Sequence, residues 1–458
     1  MIFNRIKNHL PSFIKKYLFE GHERSVKAKK NILASFLIKG CSILISLALV
    51  PLTIHYVNPM RYGVWLTLSS IIAWLSFFDI GFGNGLRNKI AESMARGQKE
   101  LVKIYVSTTY AILSLIVGLM LLIFLCINPF LNWVKILNTS AEMASELSLL
   151  ALIVFVFFCL QLVFQLVTTV MTADQKPARA SFFNLLANIF SLVTIFILTK
   201  TTKGSLLYLG LTLSIAPVLV LLFSSVWFYR REYRDFAPSL KFVRFSYAGD
   251  LMNLGIKFFL IQIAAIILYQ TSNMIIAQLF GPAEVTPYNI AYKYFGVITM
   301  VFSIIMLPFW SAYTEAFAKG DITWIKNSMK KIVFIWVSLF FIIILMLILA
   351  DKAYVFWVGK SIKVPFMLSV AMAFYVVINA WCGIFAQFLN GVGKIKLQLY
   401  SGLVGALINI PLAIFLGKYM GISGVVLSTC FLAVIAAVWA PVQYYKLINN
   451  TAKGIWNK

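Results

Sequence analysis

Apolar runs long enough to cross a lipid bilayer recur along the whole chain, and this feature constrains the fold more than any other. A transmembrane helix needs about 20 predominantly apolar residues. The chain is 61% hydrophobic and only 12% charged, whereas soluble domains carry about 25% charged residues. The sequence therefore predicts a multi-pass membrane protein. The predicted spans are 32–56, 62–86, 102–128, 145–172, 181–199, 205–228, 251–279, 286–313, 332–350, 365–388, 398–417 and 422–444.

These spans are predicted to be helices rather than barrel strands. Strands of a transmembrane barrel alternate polar and apolar residues, whereas these runs are apolar on all sides. Backbone polar groups cannot face lipid unpaired, and a helix pairs them within one segment. The predicted fold class is therefore an all-α polytopic membrane protein with twelve transmembrane helices.

The chain divides into two similar halves around its longest basic connection, residues 229–250. The motif Glu-x-x-Ala-[Arg/Lys]-Gly occurs at 92–97 and again, 223 residues later, at 315–320. An even number of spans per half gives two six-helix pseudo-repeats of the same orientation, with the substrate path between them. The predicted divisions are a basic segment (1–31), two halves (32–228 and 251–444), the linker (229–250) and a tail (445–458). Segment 1–31 is either an amphipathic helix on the cytoplasmic membrane surface or a partly disordered tail.

The positive charge indicates topology rather than nucleic-acid binding. The net charge is +25, but the cations are dispersed among short loops instead of forming one soluble face. Loops and ends on the side of both termini hold 29 Lys and Arg, against 8 on the other side. Cytoplasmic loops carry such an excess, so both termini are predicted to be cytoplasmic.

No residue pattern predicts an enzyme, a metal site or a cofactor. The chain has no Walker A loop and no grouping of a nucleophile with a base. The cysteines are scattered, odd in number and without a CxxC pair, so they predict neither a disulfide framework nor a metal site. They are Cys41, Cys126, Cys159, Cys382 and Cys430.

The end of the second span resembles a known signature. Residues 78–89 read FDIGFGNGLRNK and follow YGVW at residues 62–65. This combination is similar to that of bacterial polysaccharide exporters and O-antigen flippases of the multidrug/oligosaccharidyl-lipid/polysaccharide (MOP) superfamily. The resemblance implies flipping of an undecaprenyl-pyrophosphate-linked oligosaccharide to the periplasmic leaflet of the inner membrane. It also implies alternating access, commonly ion-coupled, and partners such as a polysaccharide polymerase and a chain-length regulator.

Three lysines within spans are the candidate ligands for the anionic head group of such a substrate. An unpaired charge is costly in hydrocarbon, so the path needs cations in a hydrated cavity. Lys39 lies on a stripe of serines at helical spacing, and Lys257 occupies the equivalent place in the second half. Lys293 lies about seven residues from the outer end of span eight. The alternative for each is a lysine that extends its amine to the membrane surface.

Two further residues are candidates near the glycine-rich end of span two. Arg87 offers phosphate a fork of donors, or else anchors the cytoplasmic helix end. Asp79 is a candidate for ion coupling, or else a polar group at the helix end. Aromatic side chains either stack on sugars or simply pack in the bundle. They are Trp74, Tyr269, Tyr288, Tyr292, Trp310 and Tyr313.

Two other functions remain as alternatives. A cation-coupled multidrug antiporter of the same superfamily would favour acidic residues in its path, whereas the charges within these spans are mainly lysines. A membrane glycosyltransferase or polymerase would need a catalytic acid or base and usually a large external loop. The longest predicted external loop is only about 15–20 residues.

Overall fold

The computed structural model describes the backbone of residues 23–75, 82–174, 176–251, 271–306 and 309–457, and most side chains in these ranges from residue 36 onward. Most of the predicted amphipathic segment 1–31 lies outside the described residues. Asp79 and Lys257 also lie outside them.

Helices account for most of the described chain. The first half contains α1 (Glu23–Val57), α2 (Pro59–Trp74), α3 (Phe82–Ala95), α4 (Lys99–Ile127), α5 (Trp133–Leu137), α6 (Ala144–Phe164), α7 (Leu166–Ala173), α8 (Pro177–Thr201) and α9 (Leu206–Arg230). The second half contains α10 (271–280), α11 (Val285–Met306), α12 (Phe309–Ala318), α13 (Ile322–Val358), α14 (Phe366–Val392), α15 (Lys396–Met420) and α16 (Ile422–Ile448).

Ten helices of the described chain are long and apolar enough to cross a membrane. The other two predicted spans, 62–86 and 251–279, extend into residues that the structure does not describe. Several helices continue beyond the predicted spans: α13 extends from 322 to 358, whereas the predicted span covers 332–350. The reason is that hydropathy marks only the part of a helix in hydrocarbon, and a helix continues into the polar interface.

The outer surface of the bundle is apolar, as expected for a protein whose solvent is lipid. On α4, large side chains such as Leu115, Leu119 and Leu122 are 60–63% exposed. Polar side chains are instead found inside the bundle, where Thr67, Thr108 and Ser428 are fully buried. This distribution is the reverse of that in a soluble helical protein.

Each half begins with two predicted spans joined by a short turn, here called a hairpin, and both hairpins turn with the same backbone conformation. Asn58 has φ 76° and ψ 164°, and Gly281 has φ 94° and ψ 159°. A proline follows each of them and begins the next helical segment, where its missing N–H is not needed. A positive φ favours glycine or asparagine, so these two residue types satisfy the same turn in the two halves.

The repeated Glu-x-x-Ala-[Arg/Lys]-Gly motif forms the same helix end in both halves. Gly97 and Gly320 have φ values of 72° and 71°. The residue after each glycine donates its backbone N–H to a carbonyl five positions earlier, and the glycine itself donates to the carbonyl three positions earlier. This is a Schellman cap, which requires the left-handed conformation. The sequence repeat is therefore a structural repeat.

Each half has its own helix packing. In the first half α1 packs against α8, and α6 packs against α4 and α9. In the second half α14 and α15 both pack against α16, and α11 packs against α14. The halves meet through α2, which contacts the turn after Gly281 and α11.

The bundle has two ends. The end with Asn58 and Gly281 is the turn side, and the opposite end is the terminal side.

Hydrogen bonds join the two halves on the turn side. The Thr286 hydroxyl donates to the Pro59 carbonyl (2.7 Å), and the Asn273 amide donates to the Ser70 hydroxyl (2.6 Å). Asn289 in turn donates its amide N–H to the Asn273 side-chain oxygen (2.8 Å). Because buried polar groups are costly when unpaired, this chain of bonds stabilises the contact between the halves.

Further contacts on the turn side join other helices of the two halves. The Asn138 amide donates to the Ala277 carbonyl (2.9 Å), and the Trp357 indole N–H donates to the Leu47 carbonyl (2.8 Å). Together with the bonds of Thr286, Asn273 and Asn289, these hydrogen bonds close the turn side of the bundle.

The linker between the halves packs against the first half on the terminal side. The backbone N–H of Ser239 donates to the Ser107 hydroxyl (3.1 Å), and that of Arg244 donates to the Thr108 hydroxyl (3.0 Å). Both acceptors lie on α4. The described part of residues 229–250 is thus attached to the first half.

Candidate functional site

A cavity of about 320 Å³ lies between the halves. Helix α1 of the first half forms one wall, and α11 and α14 of the second half form the others. The cavity is lined by Ile43, Ser46, Leu47, Tyr292, Lys293, Gly296, Val297, Thr299, Met300, Met372, Tyr375, Val376 and Asn379. No Asp or Glu is among these described lining residues, and Lys293 is the only one of them that carries a formal charge.

Lys293 enters this cavity from α11. It lies eight residues after Val285, where the helix begins, and thus about 12 Å from the turn side at 1.5 Å per residue. Its side chain is half-buried. Lys293 has no ion pair within the part of the chain that the structure describes. Even a partly buried cation without an acidic partner carries a desolvation cost, and an anionic ligand would offset that cost.

Asn289, Lys293, Gly296 and Met300 follow one another at helical spacing and form a stripe on α11, and only part of this stripe is a cavity wall. Gly296 and Met300 line the cavity one and two turns after Lys293. Asn289, one turn before Lys293, is buried instead and bonds to Asn273. The stripe therefore has two roles, because its turn-side end contacts α10 and the rest faces the cavity.

The predicted serine stripe on α1 also reaches the cavity. Ser46 and Ile43 line it, and Lys39 lies seven and four residues before them, on the same helix face. Seven residues correspond to about 10 Å along the axis, so Lys39 is closer to the terminal side than Ser46. Its side chain is half-buried, and it does not line the cavity itself.

Aromatic rings form the part of the wall next to Lys293. The rings of Tyr292 and Tyr375 have centroids 6.4 Å apart, and Tyr288 stacks against Tyr292 at 6.2 Å with an interplanar angle of 20°. Of the other aromatic candidates, Tyr313 is fully buried in the second half. Tyr269 and the side chain of Trp310 lie outside the described residues.

The remaining predicted site residues are not brought to this cavity by the described structure. Arg87 is exposed on α3 and is not a lining residue. Lys257 and Asp79 lie outside the described residues, so their roles stay predictions. Of the five candidates, Lys293 lines the cavity and Lys39 shares a helix face with its wall.

The contribution of α14 to the cavity wall was not predicted from the sequence. Tyr375 and Asn379 line the cavity one helical turn apart, and the Asn379 amide donates to the Tyr375 carbonyl (2.9 Å). An amide in the middle of an apolar span was an available signal, because polar groups within the membrane often mark function.

A network of charges joins the linker to the first half on the terminal side, outside the cavity. Glu232 accepts from Lys176 (2.6 Å) and from Arg179 (2.6 Å), and Lys176 also contacts Asp174. The hydrogen bond from Lys176 lowers the pKa of Glu232 more than burial raises it, and Arg179 adds to the decrease. Burial disfavours the charged form of Lys176, but its bonds to Asp174 and Glu232 outweigh this and raise its pKa.

Two repeats of membrane-spanning helices around a cavity at their interface define the architecture of a secondary transporter. The family model described as "Polysaccharide biosynthesis protein" matches residues 28–313, and the chain belongs to this family. The predicted resemblance to polysaccharide exporters is thereby confirmed.

Curated relatives align along most of the chain at low identity. A protein of Salmonella typhi named as an O-antigen transporter is 22% identical over 430 residues, which cover 91% of this chain and 95% of that protein. A protein of Yersinia pseudotuberculosis named as an O-antigen export protein is 23% identical over 368 residues, covering 78% and 81%.

Solved structures confirm the fold class. An inward-facing multidrug resistance MATE family transporter of the MOP superfamily superposes with a TM-score of 0.68 at 15% identity, covering 92% of this chain and 96% of that one. An outward-facing MATE transporter gives 0.66 at 14% identity, covering 93% and 97%. These neighbours have twelve transmembrane helices in two repeats. The chain is thus an all-α multi-pass membrane protein of that architecture.

Proposed function

We propose that this protein is a flippase that moves a lipid-linked oligosaccharide, such as an O-antigen unit on undecaprenyl pyrophosphate, to the periplasmic leaflet of the bacterial inner membrane. The single observation that carries the proposal is Lys293, a cation that lines the cavity between the halves with no acidic residue in the described lining. The names of the curated relatives support a polysaccharide as the cargo.

The lysines would bind the pyrophosphate at successive depths. Lys39 lies closer to the terminal side, and the face it occupies leads along α1 to Ser46 in the cavity, opposite Lys293. An anion bound first near Lys39 would therefore move about 10 Å to reach the depth of Ser46. In this proposal Arg87 and Lys257 assist at the terminal-side entrance.

Transport would proceed by rocking of the two halves around the cavity. With both termini in the cytoplasm, as predicted, the turn side is periplasmic, and a state with the turn side closed would load substrate from the cytoplasm. The hydrogen bonds between the halves on the turn side would break for release. Asp79 is the proposed coupling residue, and a polymerase and a chain-length regulator are proposed to act on the exported unit.

A cation-coupled multidrug antiporter is the second candidate, because the similar solved structures are MATE transporters. That likeness is in the fold, at 14–15% identity. A cationic drug would be repelled by Lys293, and the described cavity lining offers no carboxylate to attract it. The electrostatics of the cavity therefore favour the anionic substrate.

The test is complementation of a bacterial strain that lacks its own flippase, provided that the strain makes the matching polysaccharide. Lys293→Ala is expected to abolish surface polysaccharide and to leave lipid-linked intermediates in the cytoplasmic leaflet, while the protein still inserts. Lys418→Ala is the matched control, since Lys418 is exposed in the last turn of α15. Normal polymer from the Lys293→Ala strain at ordinary expression would refute the role of Lys293.

A further inference from the structure

The cavity continues into a small crevice inside the second half. Tyr292 and Tyr375 border both the cavity and the crevice. The crevice has about 10 Å³ of free volume, which is enough for about one water molecule or one substituent of that size. A group held at the two tyrosines can therefore extend a single small substituent into the second half.

Hydroxyl groups line this crevice. Ser272, Tyr288 and Thr429 border it, and each is only 6–7% exposed. Each hydroxyl group both donates and accepts hydrogen bonds. A polar substituent such as a sugar hydroxyl fits this lining, because it can form a hydrogen bond with these oxygens and a methyl group cannot.

The two tyrosines at the entrance are suited to a sugar ring. Tyr292 is 41% exposed, and Tyr288 stacks behind it and fixes its orientation. The face of an aromatic ring carries negative charge density, which attracts the weakly positive C–H groups on one face of a pyranose. The angle of 47° between the rings of Tyr292 and Tyr375 forms a shallow corner rather than a flat surface.

This corner lies directly beside the proposed head-group ligand. Tyr292 precedes Lys293 in the chain, and Lys293 lines the same cavity as Tyr375. The first sugar of a lipid-linked oligosaccharide is bonded to the pyrophosphate, so an anion at Lys293 brings that sugar next to the tyrosines.

We propose that Tyr292 and Tyr375 bind the first sugar ring of the substrate, and that one hydroxyl of this sugar enters the crevice between Ser272, Tyr288 and Thr429. The inference rests on the proposed function and deepens it, because it assigns sugar selectivity to a particular wall of the cavity. The second half would then recognise the sugar, while the lysines bind the pyrophosphate charge that all such substrates share.

The consequence is selectivity for the configuration or presence of one hydroxyl. An analogue without this hydroxyl loses one hydrogen bond to the crevice. A deoxy sugar is therefore expected to bind about twofold to tenfold more weakly. Ring stacking contributes a similar amount, about threefold to tenfold in affinity.

The test measures binding to the purified full-length protein by calorimetry, with two kinds of probe. One is farnesyl pyrophosphate, and the other is farnesyl pyrophosphate bearing a single hexose, supplied as a panel of epimers and deoxy analogues. At least one hexosyl probe is expected to bind several-fold more tightly than the bare pyrophosphate. Tyr375→Ala is expected to remove this gain and to leave the affinity for the bare probe unchanged.

Three variants complete the design. Tyr375→Phe keeps the ring and is expected to retain most of the gain, and unchanged affinity of Tyr375→Ala for the bare probe would show that this variant is folded. Thr429→Val keeps the shape but removes a crevice hydroxyl, and it is expected to reduce the preference for the hydroxylated probe over its deoxy analogue. Tyr419→Ala removes a tyrosine that is 78% exposed on α15 and is expected to change neither affinity.

The outcomes separate this inference from the proposed function. If Tyr375→Ala weakens both probes equally, or if no hexosyl probe exceeds the bare pyrophosphate, the sugar site is refuted while head-group binding stands. If the bare probe binds equally to the wild type and to Lys293→Ala, the proposed role of Lys293 fails. If neither probe binds at all, the proposed function fails and the sugar site fails with it.

Discussion

Gly63 lies where α2 of the first half meets the turn of the second hairpin, and its replacement by alanine is expected to open the turn side. A Cβ atom at this position would lie 1.7 Å from the Pro282 carbonyl oxygen and 2.8 Å from its carbon. Backbone atoms cannot move aside as a flexible side chain can. The two halves therefore have to separate for Gly63→Ala to fit.

The size of the effect follows from the contacts nearby. Ordinary carbon–oxygen contact requires about 3.3 Å, so the surfaces must separate by roughly 1.5 Å. That displacement breaks the hydrogen bonds of Thr286 with Pro59 and of Asn273 with Ser70, worth about 1 kcal/mol each. With about 1–2 kcal/mol of overpacking, the turn-closed state loses roughly 3–4 kcal/mol. This corresponds to a shift of roughly 100- to 700-fold toward the turn-open state.

The assay is labelling of a cavity cysteine by a membrane-impermeant maleimide added to the periplasmic side. Ser46→Cys supplies the target, because Ser46 lines the cavity, in a chain whose native cysteines are replaced. Gly63→Ala is expected to accelerate labelling strongly. Gly118→Ala is the matched control, since a Cβ there meets no atom within 4 Å.

The two substitutions are expected to differ in their effect on access to the cavity. Gly118→Ala adds helix propensity of up to about 1 kcal/mol and is expected to leave accessibility unchanged. Equal labelling rates in Gly63→Ala and Gly118→Ala, with both proteins folded, would mean that the turn-side contact does not control access to the cavity.

Two other predictions concern contacts outside the cavity. A cross-link between cysteines that replace Ser70 and Asn273 is expected to stop transport, because it locks the turn side closed. A cross-link between cysteines that replace Ser107 and Ser239 is expected to leave transport intact, because it joins the linker to the first half alone. Equal inhibition by both links, in the complementation assay, would contradict this. Glu232→Gln is expected to lower the thermal unfolding temperature slightly at pH 7. Because the folded pKa of Glu232 lies below its ordinary value of 4.5, the difference from wild type should vanish as the pH falls through that lowered pKa, and a difference that persists in acid would refute the ion pairs as its cause.

The sequence predicts the helices and the repeat well, for reasons specific to membranes. Lipid requires helices of about 20 apolar residues, so length and composition suffice to find the spans. The repeat could be predicted because Gly97 and Gly320 occupy a backbone conformation that few other residues adopt. Lys293 was predictable as well, since a cation within an apolar span needs a reason to be there.

The sequence does not show which face of α14 lines the cavity, although Asn379 marks this helix. Tyr375 and Asn379 lie on a helix that is apolar around most of its circumference, so no stripe indicates which face meets α1 and α11. The same holds for Asn273 and Ser70, which pair across 203 positions. Rotations of helices relative to one another depend on packing between distant segments, and the chain pattern does not encode them locally.

The central claim is that Lys293 binds the anionic head group of a lipid-linked sugar as it crosses the membrane. The most direct measurement is the rate at which a hexosyl polyprenyl pyrophosphate changes leaflets in proteoliposomes containing wild type, Lys293→Arg or Lys293→Ala. We expect Lys293→Ala to lower that rate at least about tenfold, the effect of losing one charged hydrogen bond of about 1.5–3 kcal/mol, and Lys293→Arg to retain part of it. A rate for Lys293→Ala equal to that of the wild type, at matched reconstitution, would contradict the account.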